Sequence, residues 1–143
     1  MHKPFGSIMV ELLEDVEAGL RVRAEQTSHT GEFPRVKAST TGKVRMWIGI
    51  TLVAGKAGDI VPVMPPFCGT VMVQVECSES PVRTGNWVNT EANGYFSTHE
   101  GAGEISTGVI VTPNLNEEVA PGKVVKAMAF IGRNVYDGGG YQP

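Results

Sequence analysis

Between residues 70 and 76 the chain alternates strictly, with Val71, Val73 and Val75 on one parity and Met72, Gln74 and Glu76 on the other. Successive side chains of a strand point to opposite faces, so this parity predicts a half-buried β-strand. The period returns at Val125, Ala127, Ala129 and Ile131, which alternate with Lys126, Met128 and Phe130. Residues 44–53 (VRMWIGITLV) are more continuously apolar, which predicts a buried strand, with Trp47 in the core and a bulge or close backbone approach at Gly49. Ile60 to Met64 is short and carries Pro62, which lacks a ladder N–H, so an edge or strand-end position is expected. Ile8 to Val16 fits either a short helix or a strand, and strand is favoured because Gly19 follows closely. No other ten-residue stretch offers a helical stripe free of Gly, Pro and β-branched runs. Roughly eight to ten short strands are expected, which predicts an all-β fold, a small β-sandwich or partly closed β-barrel.

Two polar stretches, 25–34 (EQTSHTGEFP) and 99–106 (HEGAGEIS), read as loops. The ends, Met1 to Ser7 and Asn134 to Pro143, have turn and linker chemistry and are expected to be extended N- and C-terminal arms. The whole chain is read as a single β domain, 1–143.

The two halves, 16–64 and 82–131, resemble each other. Val16-Glu-Ala-Gly19-Leu-Arg-Val22 and Val82-Arg-Thr-Gly85-Asn-Trp-Val88 both read V-x-x-G-x-x-V. Each is followed by a Gly-led turn (Gly42-Lys-Val44, Gly94-Tyr-Phe96) and then by an apolar segment interrupted by Gly (Ile48-Gly49-Ile50, Thr107-Gly108-Val109). A Gly-led strand closes each half, Gly58-Asp-Ile-Val61 and Gly122-Lys-Val-Val125. The unchanged order of four elements favours duplication over chance matching in a Gly- and Val-rich chain, and predicts two meanders packed together.

The same succession, with Ala57-Gly-Asp-Ile-Val-Pro-Val63 and Ala120-Pro-Gly-Lys-Val-Val125, resembles the capsid decoration (cement) proteins of tailed bacteriophages over roughly residues 16 to 131. The chain departs from that pattern in its insertion at 26–33 and its extra loop at 98–104.

Charge narrows the partners. Lys plus Arg number 12 and Asp plus Glu 15, a net charge of −3, with no basic stripe to release counterions from a phosphate backbone, so nucleic acid is not an expected partner. No apolar run reaches the ~18 residues of a membrane span, and Met1-His-Lys-Pro-Phe5 lacks the apolar core of a signal peptide, so synthesis in the host cytoplasm is expected. Cys68 and Cys77, nine apart on a strand-like segment, fall on opposite faces and are expected to be two free, half-buried thiols.

No reactive constellation emerges. His2, His29 and His99 lie in an arm and two loops without metal-ligand spacing, so no metal is expected. There is no G-x-S-x-G elbow and no phosphate loop around Gly101-Ala-Gly103. The acid pairs Glu11 with Glu14 and Glu117 with Glu118 read as solvated charge rather than glycosidase carboxylates. The glycine-rich tail resembles that of trimeric dUTPases, but that family's Arg-Ser-Ser stretch and catalytic Asp motif are absent. The chain is therefore read as a non-enzyme with no cofactor and no catalytic residue.

The resemblance implies a protein on the outer surface of a bacteriophage head that binds the major capsid protein and reinforces the expanded shell, as a homo-oligomer, a trimer being favoured. The candidate capsid or subunit contacts are the arm Met1, His2, Lys3, Pro4, Phe5, Gly6 and Ser7, and the aromatics Phe67, Trp87, Tyr136 and Tyr141. The rival is a carbohydrate- or receptor-binding module of a virion fibre, with Trp87, Asn86, Asn89 and Asn93 as its candidate platform.

Overall fold

The computed structural model describes residues 6–25, 31–39, 47–66, 68–77, 82–98, 105–111 and 122–136, with the backbone alone at 105–107 and 133–136. Among the described residues ten strands follow one another: β1 (Ile8–Leu12), β2 (Arg21–Ala24), β3 (Arg35–Lys37), β4 (Gly49–Thr51), β5 (Ile60–Met64), β6 (Thr70–Glu76), β7 (Trp87–Thr90), β8 (Phe96–Ser97), β9 (Ile105–Ile110) and β10 (Val124–Tyr136). A 3-10 turn, Ala92–Gly94, joins β7 to β8.

The fold is all-β, and the strands close into two five-stranded barrels, in the orders β1-β3-β2-β4-β5 and β10-β6-β8-β7-β9. The pairing rule is the same in both. The first strand of each barrel pairs parallel with the third, β1 with β3 and β6 with β8. It also pairs antiparallel with the fifth, β1 with β5 and β6 with β10. The second strand bridges the third and fourth antiparallel, and the fourth meets the fifth. Closure removes the free sheet edges that an open meander of this length would expose.

Register fixes the correspondence residue by residue. Val22 faces Gly49 in the first barrel as Val88 faces Gly108 in the second. At both glycines the neighbouring strand passes close: a Cβ on Gly49 would lie 2.9 Å from the Met64 carbonyl oxygen, and one on Gly108 only 2.4 Å from that of Phe130. The expected close approach at Gly49 is thus present, and its reason is a strand crossing. Gly19 and Gly85, at φ +86° and +90°, open the turns before β2 and β7. Their N–H groups donate to the carbonyls of Thr51 and Ile110, each at 2.8 Å.

Several sequence expectations are corrected. Pro62 is not at an edge, because β5 pairs with β1 on one side and β4 on the other. Its carbonyl accepts from the Leu52 N–H at 3.1 Å, so its backbone polar groups turn toward the end of β4, where little of the ladder remains to miss a donor. Trp47 is buried but precedes its strand, which is only three residues long. Ile105 and Ser106 belong to β9 rather than a loop, and β10 carries Asn134 to Tyr136 beyond the expected end of the barrel. The match of Gly94 to Gly42 also fails as geometry: Leu12 pairs with Val36 and Val75 with Phe96, so Gly94 holds the place of Pro34, while Gly42 lies outside the described residues.

The first barrel's interior holds Val10, Leu12, Val16, Leu20, Val22, Val36, Ala38, Val61 and Val63. The second cluster runs from Val71, Val73 and Val75 to Ala127, Ala129 and Ile131, and it also takes in Trp47 and Ile50 from the first barrel. The two barrels therefore share an apolar core at their joint. Trp47 meets Phe96 edge to face, ring centroids 6.4 Å apart. The Arg21 guanidinium stands over the Phe96 ring at 5.4 Å and donates to the carbonyls of Glu91 and Tyr95. Desolvation pulls its pKa down to about 10, partly opposed by Glu91, so it stays charged at neutral pH. From the other side, the Gln74 N–H donates to the Gly19 carbonyl at 2.9 Å and its side-chain amide to that of Ala18 at 2.8 Å.

Candidate binding surface

On the second barrel, Val88, Gly108, Ala129 and Ile131 turn inward, so the intervening positions of β7, β9 and β10 must face out. Register aligns three of them in one row, Trp87 opposite Val109 and Val109 opposite Phe130. A second row lies beside it, because the Val111 N–H donates to the Met128 carbonyl at 2.9 Å. Trp87 is 42% exposed, Phe130 43%, Val111 43%, Met128 36%, and Val124 further along β10 39%. Together these side chains expose on the order of 400 Å², the size of the largest apolar patch on a typical monomer, which is often a functional surface. Lys126 stands between Val124 and Met128 on β10, and Lys123 just precedes the strand; both are exposed and add positive charge.

Of the candidate contact residues, Trp87 sits in this patch, and Tyr136 ends β10, where only its backbone is described. Gly6 and Ser7 are on the first barrel and are not part of a free arm: Ser7 is buried, and Gly6, at φ +82°, turns the chain into β1. Met1, His2, Lys3, Pro4, Phe5, Phe67 and Tyr141 lie outside the described residues, as do His29, His99, Glu117 and Glu118. Phe130, Val109, Val111 and Met128 were not singled out from sequence. Met128 and Phe130 belong to the alternation of β10, but apolar residues on both parities do not say which parity is the core.

The amide platform of the rival reading is not assembled. Asn89 is buried, Asn93 sits in the 3-10 turn at φ +58°, and the Asn86 side-chain oxygen accepts from the Arg83 N–H at 2.6 Å within its own turn.

The acids are also accounted for. Glu11 pairs with Arg35 at 2.7 Å, and Glu14 accepts from the Ala38 and Ser39 N–H groups at 3.0 and 2.7 Å. A shallow hollow of about 460 Å³ at the end of the first barrel is lined by Asp15, Glu17, Lys56 and Asp59. There Asp15 accepts from the Ala57 N–H and Asp59 from the Lys56 N–H, so these carboxylates brace turns. Among the described residues no group of three His, Cys, Asp or Glu side chains could hold a metal ion. Nor is any helix among them long and apolar enough to cross a membrane. The thiols are more polarised than expected, Cys68 exposed and Cys77 buried, and both are free.

No protein-family model matches the chain, and no curated protein matches it. Among solved structures, the crystal structure of the N base of the head fibre gp8.5 of bacteriophage phi29 superposes with a TM-score of 0.55 at 16% identity, over 90% of this chain and 94% of that one. This chain shares its two-barrel β fold, over nearly the full length of both, with the base of a bacteriophage head fibre.

Proposed function

We propose that this chain is a structural protein of a bacteriophage virion that seats on the outer surface of the head and reinforces the expanded shell by contact with the major capsid protein. The observation that carries the reading is the fold shared over nearly the full length with the base of a bacteriophage head fibre. The exposed apolar rows of the second barrel suit such a role, since a decoration protein acts by burying surface and needs no bond made or broken. Many identical contacts on a symmetric shell add up through avidity even where each is weak.

The test is cosedimentation of the purified protein with undecorated, expanded phage heads. Saturable binding at a fixed number of copies per capsomer is expected, while protein left in the supernatant at all ratios refutes the proposal. Deleting residues 1–5, short of the buried Ser7, tests the N-terminal contact separately: binding should weaken while the melting temperature stays nearly unchanged. A glycan-binding fibre module finds no support in the side chains around Trp87, because Asn89 is turned into the barrel.

A further inference from the structure

The two barrels present the same outer face, and only one of these faces is covered. Arg21 pairs with Ile50 and Ile50 with Met64, in the register of Trp87, Val109 and Phe130. In the first barrel this row is closed off: Arg21 is 3% and Ile50 1% exposed, and Met64 and Leu52 pack against the second barrel's cluster. What covers it is the second barrel, through the outer side of β6 and the β7–β8 connection. Gln74 bonds to Gly19 and Ala18, the Met72 sulfur lies over Gly19 where an added Cβ would come within 2.9 Å of it, and Glu91 and Tyr95 receive Arg21.

The corresponding row of the second barrel is exposed and more apolar, with Trp87 where the first barrel has Arg21. The surface that would cover it in the same way also exists. Met9 pairs with Pro62 as Met72 pairs with Met128, so Met9 and Glu11 stand on the outer side of β1 where Met72 and Gln74 stand on β6. Both are partly exposed.

We infer that the β7–β9–β10 face of the second barrel docks a second copy of this chain, head to tail, against the outer side of that copy's β1. The intramolecular joint is the template for the intermolecular one, as in repeat proteins where each unit buries a face on the next. A standard interface buries ~800 Å² per partner around an apolar core, and the exposed rows supply about half of that, leaving the remainder for a polar rim that Lys123, Lys126 and the Glu11–Arg35 pair can furnish. The contact is heterologous, so it closes into a ring or runs on as a filament, and does not stop at a two-fold dimer. This inference is independent of the capsid proposal.

Sedimentation of the full chain up to about 100 µM tests it, a range that detects dissociation constants weaker than micromolar. The wild type should associate. Trp87→Glu and Met9→Glu should each remain monomeric, with at least a tenfold weaker self-affinity, and an equimolar mixture of the two should recover a one-to-one dimer. That complementation follows because each variant keeps the half of the interface that the other lacks. A Phe130→Lys variant repeats the test on the same face, and circular dichroism checks that all three fold. A monomeric wild type, association unchanged by Trp87→Glu, or a Met9→Glu variant that still self-associates each overturns the inference. A monomeric wild type whose Trp87→Glu variant loses head binding would give the face to the capsid instead.

Discussion

Arg21 and Trp87 hold the same place in two barrels of the same connectivity, and Arg21 is 3% exposed where Trp87 is 42% exposed. The difference is one of neighbours: the first barrel's face has another barrel on it within the chain. Arg21 is the polar clasp of that joint, and its removal should show what the joint contributes.

Arg21→Ala takes the guanidinium donor from the Glu91 carbonyl, leaves the Tyr95 carbonyl with the Glu91 N–H alone, and strips the charge from above the Phe96 ring. The expected loss is about 3 kcal/mol of unfolding free energy. Arg21→Lys should fall between, because an ammonium keeps the charge and a donor but not the planar, delocalised group that stands over the Phe96 ring. Denaturant titration measures both, and a neutral Arg21→Ala would show that the clasp is not part of the joint's stability.

The strand crossings give an ordered set. Gly108→Ala forces a Cβ to 2.4 Å from the Phe130 oxygen and 2.6 Å from the Ile131 side chain, both fixed by the barrel. Gly49→Ala is less severe, 2.9 Å from the Met64 oxygen. Gly122→Ala meets nothing within 4 Å but must hold φ near +84°. Melting temperatures should fall in that order, with costs of about 3, 2 and 1 kcal/mol.

The two thiols should react at very different rates. Cys68 is exposed and should be modified at once by a thiol reagent under native conditions. Cys77 is 1% exposed, and burial raises its pKa, with a backbone hydrogen bond from Val82 opposing, so little thiolate is present. A disulfide-exchange assay should count one fast equivalent and a second that appears only with unfolding.

Glu14 makes stability depend on acid. Its partial burial works to raise the pKa, but hydrogen bonds from Ser39 and Ala38 together with the charge of Lys37 outweigh this and leave it below the usual value of 4.5. A carboxylate with a depressed folded pKa contributes stability that is whole above the unfolded value and disappears as pH falls through the folded one. Thermal melts between pH 7 and 3 should therefore show a decline below about pH 4.5 that is shallower in Glu14→Gln, which should itself be less stable at pH 7. Identical profiles for the two proteins would remove Glu14 from the account.

The local rules were legible in the chain. Parity over Val71–Val75 and Ala127–Ile131 marked β6 and β10, because a strand half in water must alternate. Gly19, Gly85, Gly49 and Gly108 stood out because turns with positive φ favour glycine and close strand crossings leave no room for a Cβ. What needed the tertiary structure was every relationship between segments distant in sequence. The parallel pairs β1–β3 and β6–β8, which close the barrels, leave no local periodic trace. Pro62 sits between two strands because its missing donor falls where β4 runs out, and its own sequence carries no sign of that. Arg21 is buried and Trp87 exposed, against the preference of either side chain, because burial depends on what packs on a face, and only one of these two faces has a barrel of its own chain upon it.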